Sequence, residues 1–458
     1  MNKIITLIAV LAVSSLLCVT DLNGETTRSE QFIHEPVFNS KIYFYESGKQ
    51  HAKSVVLVHG TGEEGARIWR NLIPELEKKF HVVTFDLPGF ARSSKDNKLY
   101  SPPNYVAFVN WIVKKYTKGP VYIIGHSMGG ALSLYYAKMY PDSLERLIII
   151  DSAGILYRSA FTKSFISIKP NKWLDIFNTP VSVAYNYMIA NLESMDSDLM
   201  PETVDKSLES EFIRKKLYGG DPGKIAAMAL LHTDFSGILD KIYTPTLIVW
   251  GEKDPVAPLR TGRLLEWMIP GSYLRIMPEL GHSPMLDRPD EFNKLIMDWL
   301  SAPPQKMERK TPSFTSNKVF LCEGRDCMIS AGDYDRIEIK NSNNTQIVNV
   351  AAKHIYIERS IVSIESSSIK SRDVGVKAID SAVNLSGCSV DADVAILTSN
   401  SSVDLAGVNL TGKTAAIKEA ALKSEDKSIV IFSVSKIKSP FNDGYKHEIK
   451  IVTDKNPY

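Results

Sequence analysis

The chain has 458 residues, 44% hydrophobic and 23% charged, and this ordinary balance excludes wholesale disorder and collagen-like structure. At roughly 100–200 residues per domain, the length predicts two or three domains. The 54 basic and 52 acidic residues leave a net charge of +2, so we expect no nucleic-acid partner and no attraction to an anionic membrane surface. The four cysteines are too few for a disulfide scaffold.

The first 24 residues have the pattern of a secretory signal peptide. The short basic start Met1–Lys3 precedes the apolar, uncharged stretch Ile4–Leu17, which is shorter than the roughly 20 residues of a membrane-spanning helix. We therefore expect cleavage between Cys18 and Glu25, export to the periplasm or the medium, and no transmembrane domain in the mature form. The alternatives are an uncleaved anchor, or a lipid anchor at Cys18, which the large residue before it disfavours.

Next in the chain, short apolar runs alternate with amphipathic stretches. The runs are rich in β-branched residues, as are strands buried on both faces of a parallel sheet, and they are Ser54–Val58, Val82–Phe85, Val121–Ile124, Leu147–Ile150 and Thr246–Trp250. Tyr273–Met277 is predicted as the next strand. The amphipathic stretches predict helices at Val106–Lys115, Ala131–Met139 and Glu291–Leu300. This alternation predicts an α/β domain with a doubly wound, mostly parallel sheet, in which ligands bind at the carboxyl ends of the strands.

A G-x-S-x-G motif follows the third of these strands. It reads Gly125-His126-Ser127-Met128-Gly129, and its glycines permit a sharp strand-to-helix turn that exposes the serine. A motif in this context indicates a nucleophilic serine rather than an ordinary glycine turn. We therefore predict that Ser127 is the nucleophile.

A serine hydroxyl needs a base, and the base needs an acid to orient it. Asp254 follows the strand Thr246–Trp250, and His282 follows the strand Tyr273–Met277, so the order is serine, acid, histidine, as this motif requires. We predict the catalytic set Ser127, Asp254 and His282. Asp151 also ends a strand and is the rival for the acid, with a structural or pocket role as its alternative.

The oxyanion of a tetrahedral intermediate needs preorganised donors, commonly two backbone N–H groups. One is expected from Met128, directly after the nucleophile, and the other from Thr61, in the loop after the first strand. Gly60, Gly62 and His126 are predicted to contact the substrate.

Taken together, these motifs resemble those of the α/β-hydrolase fold. The matching segments, in family order, are His59-Gly60, Asp86–Ser93, Gly125–Gly130, Trp250–Asp254 and Gly281–Pro284. The resemblance covers roughly Val37 to Leu300. It implies a helical lid inserted at about 152–241, and a reaction without metal or organic cofactor.

The same resemblance leaves the substrate open, because this fold hosts many chemistries. A serine at position 127 argues against relatives that use a carboxylate nucleophile, and hydrolysis of a carboxylic ester with an apolar moiety is the default expectation. Carbon–carbon bond hydrolases of ring-fission products are the alternative, because their loop resembles His59–Gly62, although they often carry Asn where this chain has His126. A non-catalytic binding protein with a vestigial hydrolase domain is a further alternative.

The composition changes near residue 300. A segment rich in proline and charged residues predicts a linker at 301–313, between a domain at 25–300 and a second domain at 314–458. At the start of the second domain, Cys322 and Cys327 predict a local disulfide in an oxidising compartment. Cys388 is predicted to be a buried thiol.

The second domain contains a repeat of about 20 residues. Its aligned segments begin at Ser360, Ser381 and Ser401, each with alternating apolar positions. Short alternating strands at this period predict an all-β domain, a right-handed parallel β-helix. The alternative, a β-sandwich, would contain antiparallel hairpins instead. We expect Ile429–Val434 to cap the open end, and the domain to bind a cell-surface or carbohydrate partner.

Overall fold

The computed structural model describes residues 28–156, 208–302, 312–420, 428–445 and 452–453. The predicted signal peptide and Cys18 lie outside the described residues, as do residues 157–207 of the predicted lid and 303–311 of the predicted linker. Within the described ranges, no helix combines the length and the apolar character that a membrane crossing requires.

The first domain is built on an eight-stranded sheet with the order β1-β2-β4-β3-β5-β6-β7-β8. Its strands are β1 Arg28–Glu35, β2 Ser40–Ser47, β3 Ser54–Val58, β4 His81–Phe85, β5 Val121–His126, β6 Leu144–Ile150, β7 Thr246–Gly251 and β8 Tyr273–Met277. Strands β3 to β8 pair in parallel, which confirms the predicted doubly wound, mostly parallel sheet.

The central strands are apolar because helices cover both faces of the sheet. Every residue of β3, β4, β5 and β7 is buried. The described α-helices are α1 Ile73–Leu76, α2 Pro102–Tyr116, α3 Met128–Met139, α4 Glu211–Tyr218, α5 Pro222–Leu231, α6 Leu259–Met268, α7 Pro284–Asp287 and α8 Pro289–Ser301. Strands β1 and β2 were not predicted, because β1 alternates exposed and half-buried residues at the antiparallel edge of the sheet and carries no continuous apolar run.

The C-terminal β domain comprises strands β9 to β22 and is the predicted all-β region. The strands are β9 Val319–Glu323, β10 Met328–Lys340, β11 Thr345–Glu358, β12 Ile361–Glu365, β13 Ser368–Lys370, β14 Val374–Ile379, β15 Ala382–Ser386, β16 Ser389–Ser399, β17 Ser402–Ala406, β18 Asn409–Glu419, β19 Ile429–Ser433, β20 Lys436–Ser439, β21 Asn442–Tyr445 and β22 Val452–Thr453. Among the described strands of this domain, pairing is parallel except between β20 and β21. A β-sandwich requires antiparallel hairpins, so this pairing argues against that alternative.

The predicted repeat sets the register of the coils. Val362 lies opposite Val383, and Val383 lies opposite Val403, so equivalent residues of successive coils stack directly. Ile429–Val434 includes β19, which pairs in parallel with β17 and lies at the end of the described strand order. Its apolar residues therefore form the last described coil on this face of the stack.

The recurring serines form a hydrogen-bond ladder along one corner of the stack. The Oγ atoms of Ser360, Ser381 and Ser401 accept the backbone N–H of Ser342, Ser360 and Ser381 at 3.0, 3.1 and 3.1 Å. Each of these buried hydroxyls also donates to the carbonyl two residues earlier. The ladder satisfies backbone groups at the turns, where strand pairing is interrupted.

The cysteines of the C-terminal β domain have the predicted states. Cys322 and Cys327 form a disulfide, and Cys388 is a free, buried thiol. Burial raises the pKa of the Cys388 thiol to about 12, so the group stays protonated and packs as a small apolar side chain.

Helix α6 joins the two domains. Arg260 donates from Nη1 to the carboxylate of Asp404 at 3.0 Å and from Nε to the hydroxyl of Ser386 at 3.0 Å. A second ion pair joins Arg263 and Glu365 at 2.6 Å. These contacts attach the C-terminal β domain to the helix that follows the predicted catalytic acid.

Candidate active site

The strand-to-helix turn at Ser127 has the geometry of a nucleophile elbow. Ser127 lies between β5 and α3 with φ 54° and ψ −121°, a backbone conformation that is uncommon for residues other than glycine. A Cβ atom on Gly129 would lie 2.2 Å from the carbonyl oxygen of Val58, so only glycine allows α3 to pack this closely on β3.

The structure brings Ser127, His282 and Asp254 together in one hydrogen-bond chain. The Nε2 atom of His282 lies 2.9 Å from Ser127 Oγ, and its Nδ1 atom lies 2.7 Å from Asp254 Oδ2. The Asp254 carboxylate is further held by the backbone N–H groups of Val256 at 2.7 Å and Ala257 at 3.0 Å. This arrangement orients the imidazole so that Nε2 can accept the serine proton.

The rival acid, Asp151, occupies a different position in the same site. Its Oδ1 atom accepts the backbone N–H of Gly251 at 2.8 Å, and no hydrogen bond joins it to His282 among the described residues. In this geometry Asp254 is the acid that bonds the imidazole.

The predicted oxyanion donors flank Ser127. Met128 is the first residue of α3, and Thr61 lies in the loop after β3. Neither backbone N–H donates to another described residue, so both are available to a ligand. A Cβ atom on Gly60 would lie 2.6 Å from Ser127 Cβ, which shows how closely this loop approaches Ser127. Gly62, with φ 126°, continues the same loop.

His59 holds the loop after β3 in place. Its Nε2 atom accepts the backbone N–H of Leu87 at 2.7 Å, and its Nδ1 atom lies 2.6 Å from the carbonyl oxygen of Gly60. Burial lowers the pKa of His59, so the ring is neutral and Nδ1 is the donor. The loop after β3 is thereby tied to the loop after β4.

His126 has a role that the sequence did not reveal. The ring is buried, and its Nε2–H donates to the carbonyl oxygen of His282 at 2.7 Å. This bond ties the loop that contains His282 to the end of β5. The expected substrate contact of His126 stays a prediction, because the described contacts of the ring are with the protein.

The buried ring of His126 predicts a pH dependence of stability. Burial lowers its pKa to about 3, whereas the unfolded chain takes up a proton near the ordinary value of about 6.5. Between these two pH values only the unfolded state carries a proton on His126. The free energy of unfolding therefore falls by about 1.4 kcal/mol for each unit by which the pH falls. We expect wild-type protein to lose stability more steeply than His126→Asn between pH 6 and pH 4, as measured by urea unfolding followed by tryptophan fluorescence. Parallel curves for the two proteins would contradict a neutral, buried His126.

Comparison with known proteins identifies relatives of this chain. The relatives include the uncharacterized hydrolase YugF of Bacillus subtilis (strain 168), 26% identical over 57% of this chain and 94% of the relative. A 2-hydroxy-6-oxononadienedioate/2-hydroxy-6-oxononatrienedioate hydrolase of Pseudomonas putida is 26% identical over 62% of this chain and 100% of its own. Lipase 1 of Psychrobacter immobilis is 26% identical over 55% of this chain and 78% of its own.

Solved structures include an esterase from Exiguobacterium antarcticum, with a TM-score of 0.45, 21% identity, and coverage of 59% of this chain and 99% of that one. The family model described as alpha/beta hydrolase fold matches residues 53–289, just over half of the chain. The chain therefore belongs to the α/β-hydrolase fold family.

Proposed function

We propose that the first domain is a serine hydrolase that cleaves a carboxylic ester with an apolar moiety through an acyl-enzyme. The observation that carries this proposal is the unbroken hydrogen-bond chain from Ser127 Oγ through His282 to Asp254. Lipase 1 among the relatives supports an ester with an apolar part.

The geometry supports a two-step reaction. Ser127 Oγ attacks the ester carbonyl carbon while His282 Nε2 takes the hydroxyl proton, and Asp254 stabilises the imidazolium. The N–H groups of Thr61 and Met128 bind the oxyanion. His282 then returns the proton to the departing alkoxide as the acyl-enzyme forms. Water, deprotonated by His282, releases the acid and restores Ser127.

Carbon–carbon bond hydrolysis is the second candidate. The Pseudomonas putida relative carries the name of such a hydrolase, and it matches this chain over its whole length. Cleavage of such a substrate would also use Ser127, His282 and Asp254. The choice between ester and carbon–carbon bond hydrolysis therefore depends on the substrate pocket.

A substrate panel tests the two candidates together. Purified protein is assayed on chromogenic esters with two to sixteen acyl carbons and on a vinylogous diketone acid, with Ser127→Ala as the control. We expect ester hydrolysis that the control lacks, and a chain-length optimum above the shortest esters. Activity on the diketone acid alone would move the assignment to carbon–carbon hydrolysis, and no activity on either would favour the binding-protein alternative.

We also propose that the protein is exported after removal of its N-terminal segment. The apolar stretch Ile4–Leu17 and the disulfide Cys322–Cys327 support this, since disulfides persist in oxidising compartments. Cell fractionation with N-terminal sequencing tests it, and a cytosolic protein with an intact N-terminus would contradict it.

For the C-terminal β domain we propose a right-handed parallel β-helix that binds a cell-surface or carbohydrate partner. The regular parallel register of β12, β15 and β17 supports the architecture. Glycan-array binding by the whole protein would test the partner, and an array without signal would count against a carbohydrate.

A further inference from the structure

Asp151 is a neighbour of the proposed catalytic acid, Asp254. It follows β6 with φ 43°, and its side chain is fully buried. Its backbone N–H donates to the carbonyl of Val249 at 3.1 Å, and its Oδ1 accepts the N–H of Gly251 at 2.8 Å. Gly251 ends β7 and begins the turn that carries Asp254. One oxygen of Asp151 therefore bonds the end of β7, where the turn to Asp254 begins.

The second oxygen of Asp151 has no protein donor. Oδ2 is buried and accepts no hydrogen bond from a described protein donor, and the side chain of Asp254 lies within hydrogen-bonding reach of the Asp151 carboxyl group. Asp254 already accepts three bonds, from His282 Nδ1 and from the N–H groups of Val256 and Ala257. Two adjacent buried carboxyls do not both ionise readily, so the proton belongs on the one with fewer donors.

The groups around Asp151 also favour a proton on Asp151 rather than on Asp254. Burial raises the pKa of Asp151 well above its usual range, the charge of Asp254 raises it further, and Asp287 adds a smaller effect in the same direction. The backbone N–H of Gly251 acts in the opposite direction. On Asp254 itself, Oδ2 is bonded to Nδ1 of His282 at 2.7 Å, and His126 contacts His282 in turn.

We infer that Asp151 is a positioning residue: its neutral carboxyl group donates a hydrogen bond from Oδ2 to the carboxylate of Asp254. This inference rests on the proposed function and deepens it. The bond links β6 to the acid turn, gives Asp254 a fourth donor, and leaves the pair with one negative charge. His282 therefore faces a single carboxylate whose position is held from two sides.

Replacing Asp151 with asparagine distinguishes a neutral hydrogen-bond donor at this position from an ionised carboxylate. In Asp151→Asn the amide N–H₂ can donate to Asp254, its carbonyl can accept from Gly251, and asparagine tolerates a positive φ. We expect kcat within about threefold of wild type and no shift in the acidic limb of kcat/KM. Asp254→Asn is the comparison, with kcat expected to fall by about 10⁴-fold, as when the triad acid of another serine hydrolase is replaced.

Two outcomes of this comparison would overturn the inference. One is a loss in Asp151→Asn as large as the loss in Asp254→Asn. The other is an acidic limb that moves to lower pH, because removal of a negative charge would make the imidazolium less stable. The variant Asp151→Ala, which removes the donor, tests whether the bond affects kcat rather than KM. We expect kcat to fall about tenfold with KM unchanged. A kcat equal to that of wild type would show that the bond does not position Asp254.

A stability measurement tests the inference without any substrate. A neutral Asp151 in the fold is ionised in the unfolded chain above about pH 4, so wild-type protein loses stability as the pH rises from there, while Asp151→Asn does not. We expect the urea midpoint of Asp151→Asn to rise relative to wild type from pH 4 to pH 8. A constant or falling difference would show an ionised Asp151. Inactive wild-type protein would overturn the proposed function and leave this test in force.

Discussion

Replacing Ser127 with alanine is expected to lower kcat by about 10⁶-fold on any ester that the protein hydrolyses, the scale found when another serine hydrolase loses its nucleophile. His282 Nε2, which lies 2.9 Å from Ser127 Oγ, would have no hydroxyl to deprotonate. Substrate binding does not require the hydroxyl, so KM should stay within a few-fold of wild type. Single-turnover and steady-state hydrolysis measure both quantities.

The matched control is Ser133→Ala on the same helix, α3. Ser133 is buried, and its hydroxyl donates to the carbonyl of Gly129 at 2.6 Å, away from the base. We expect this variant to keep most of its activity. Ester hydrolysis that survives in Ser127→Ala, or is lost equally in the control, would contradict the proposed nucleophile.

Replacing Arg260 with alanine is expected to lower the free energy of unfolding by about 3–5 kcal/mol, the range for breaking a buried ion pair. The side chain of Asp404 is only 4% exposed and that of Arg260 only 11%, so alanine leaves a carboxylate without its cation and largely out of water. Urea unfolding followed by tryptophan fluorescence measures the loss.

Two further variants make that result specific. The double variant Arg260→Met, Asp404→Leu removes both charges and should recover most of the stability, because the cost lies in the unpaired charge. Lys294→Ala breaks the exposed pair with Asp298 on α8 and should change stability by less than about 1 kcal/mol. A loss in Arg260→Ala no larger than that of Lys294→Ala would show that the two domains are not joined through this pair in solution.

Local patterns predicted the strands and helices of the hydrolase domain well. The run at Ser54–Val58 is a strand with those same limits, because a strand buried on both faces must be apolar throughout. Tyr273–Met277 is also a strand with the predicted limits, although its middle residues are not buried. The edge strand β1 was missed because one face of it meets water, and its partner β2 was missed although only Lys41 in it is exposed. In the C-terminal β domain, the stacking of coils made the repeat visible, since equivalent residues of each coil meet the same neighbours.

The sequence by itself determined which residues reach the candidate site, because each lies at the carboxyl end of a parallel strand. Only the tertiary structure decided which carboxylate bonds His282, that His126 bonds the carbonyl of His282, and that the second oxygen of Asp151 is buried. Those outcomes depend on distances between residues far apart in the chain: 155 positions separate Ser127 from His282, and 144 separate Arg260 from Asp404. A local pattern carries no information about such distances, and packing alone determines them.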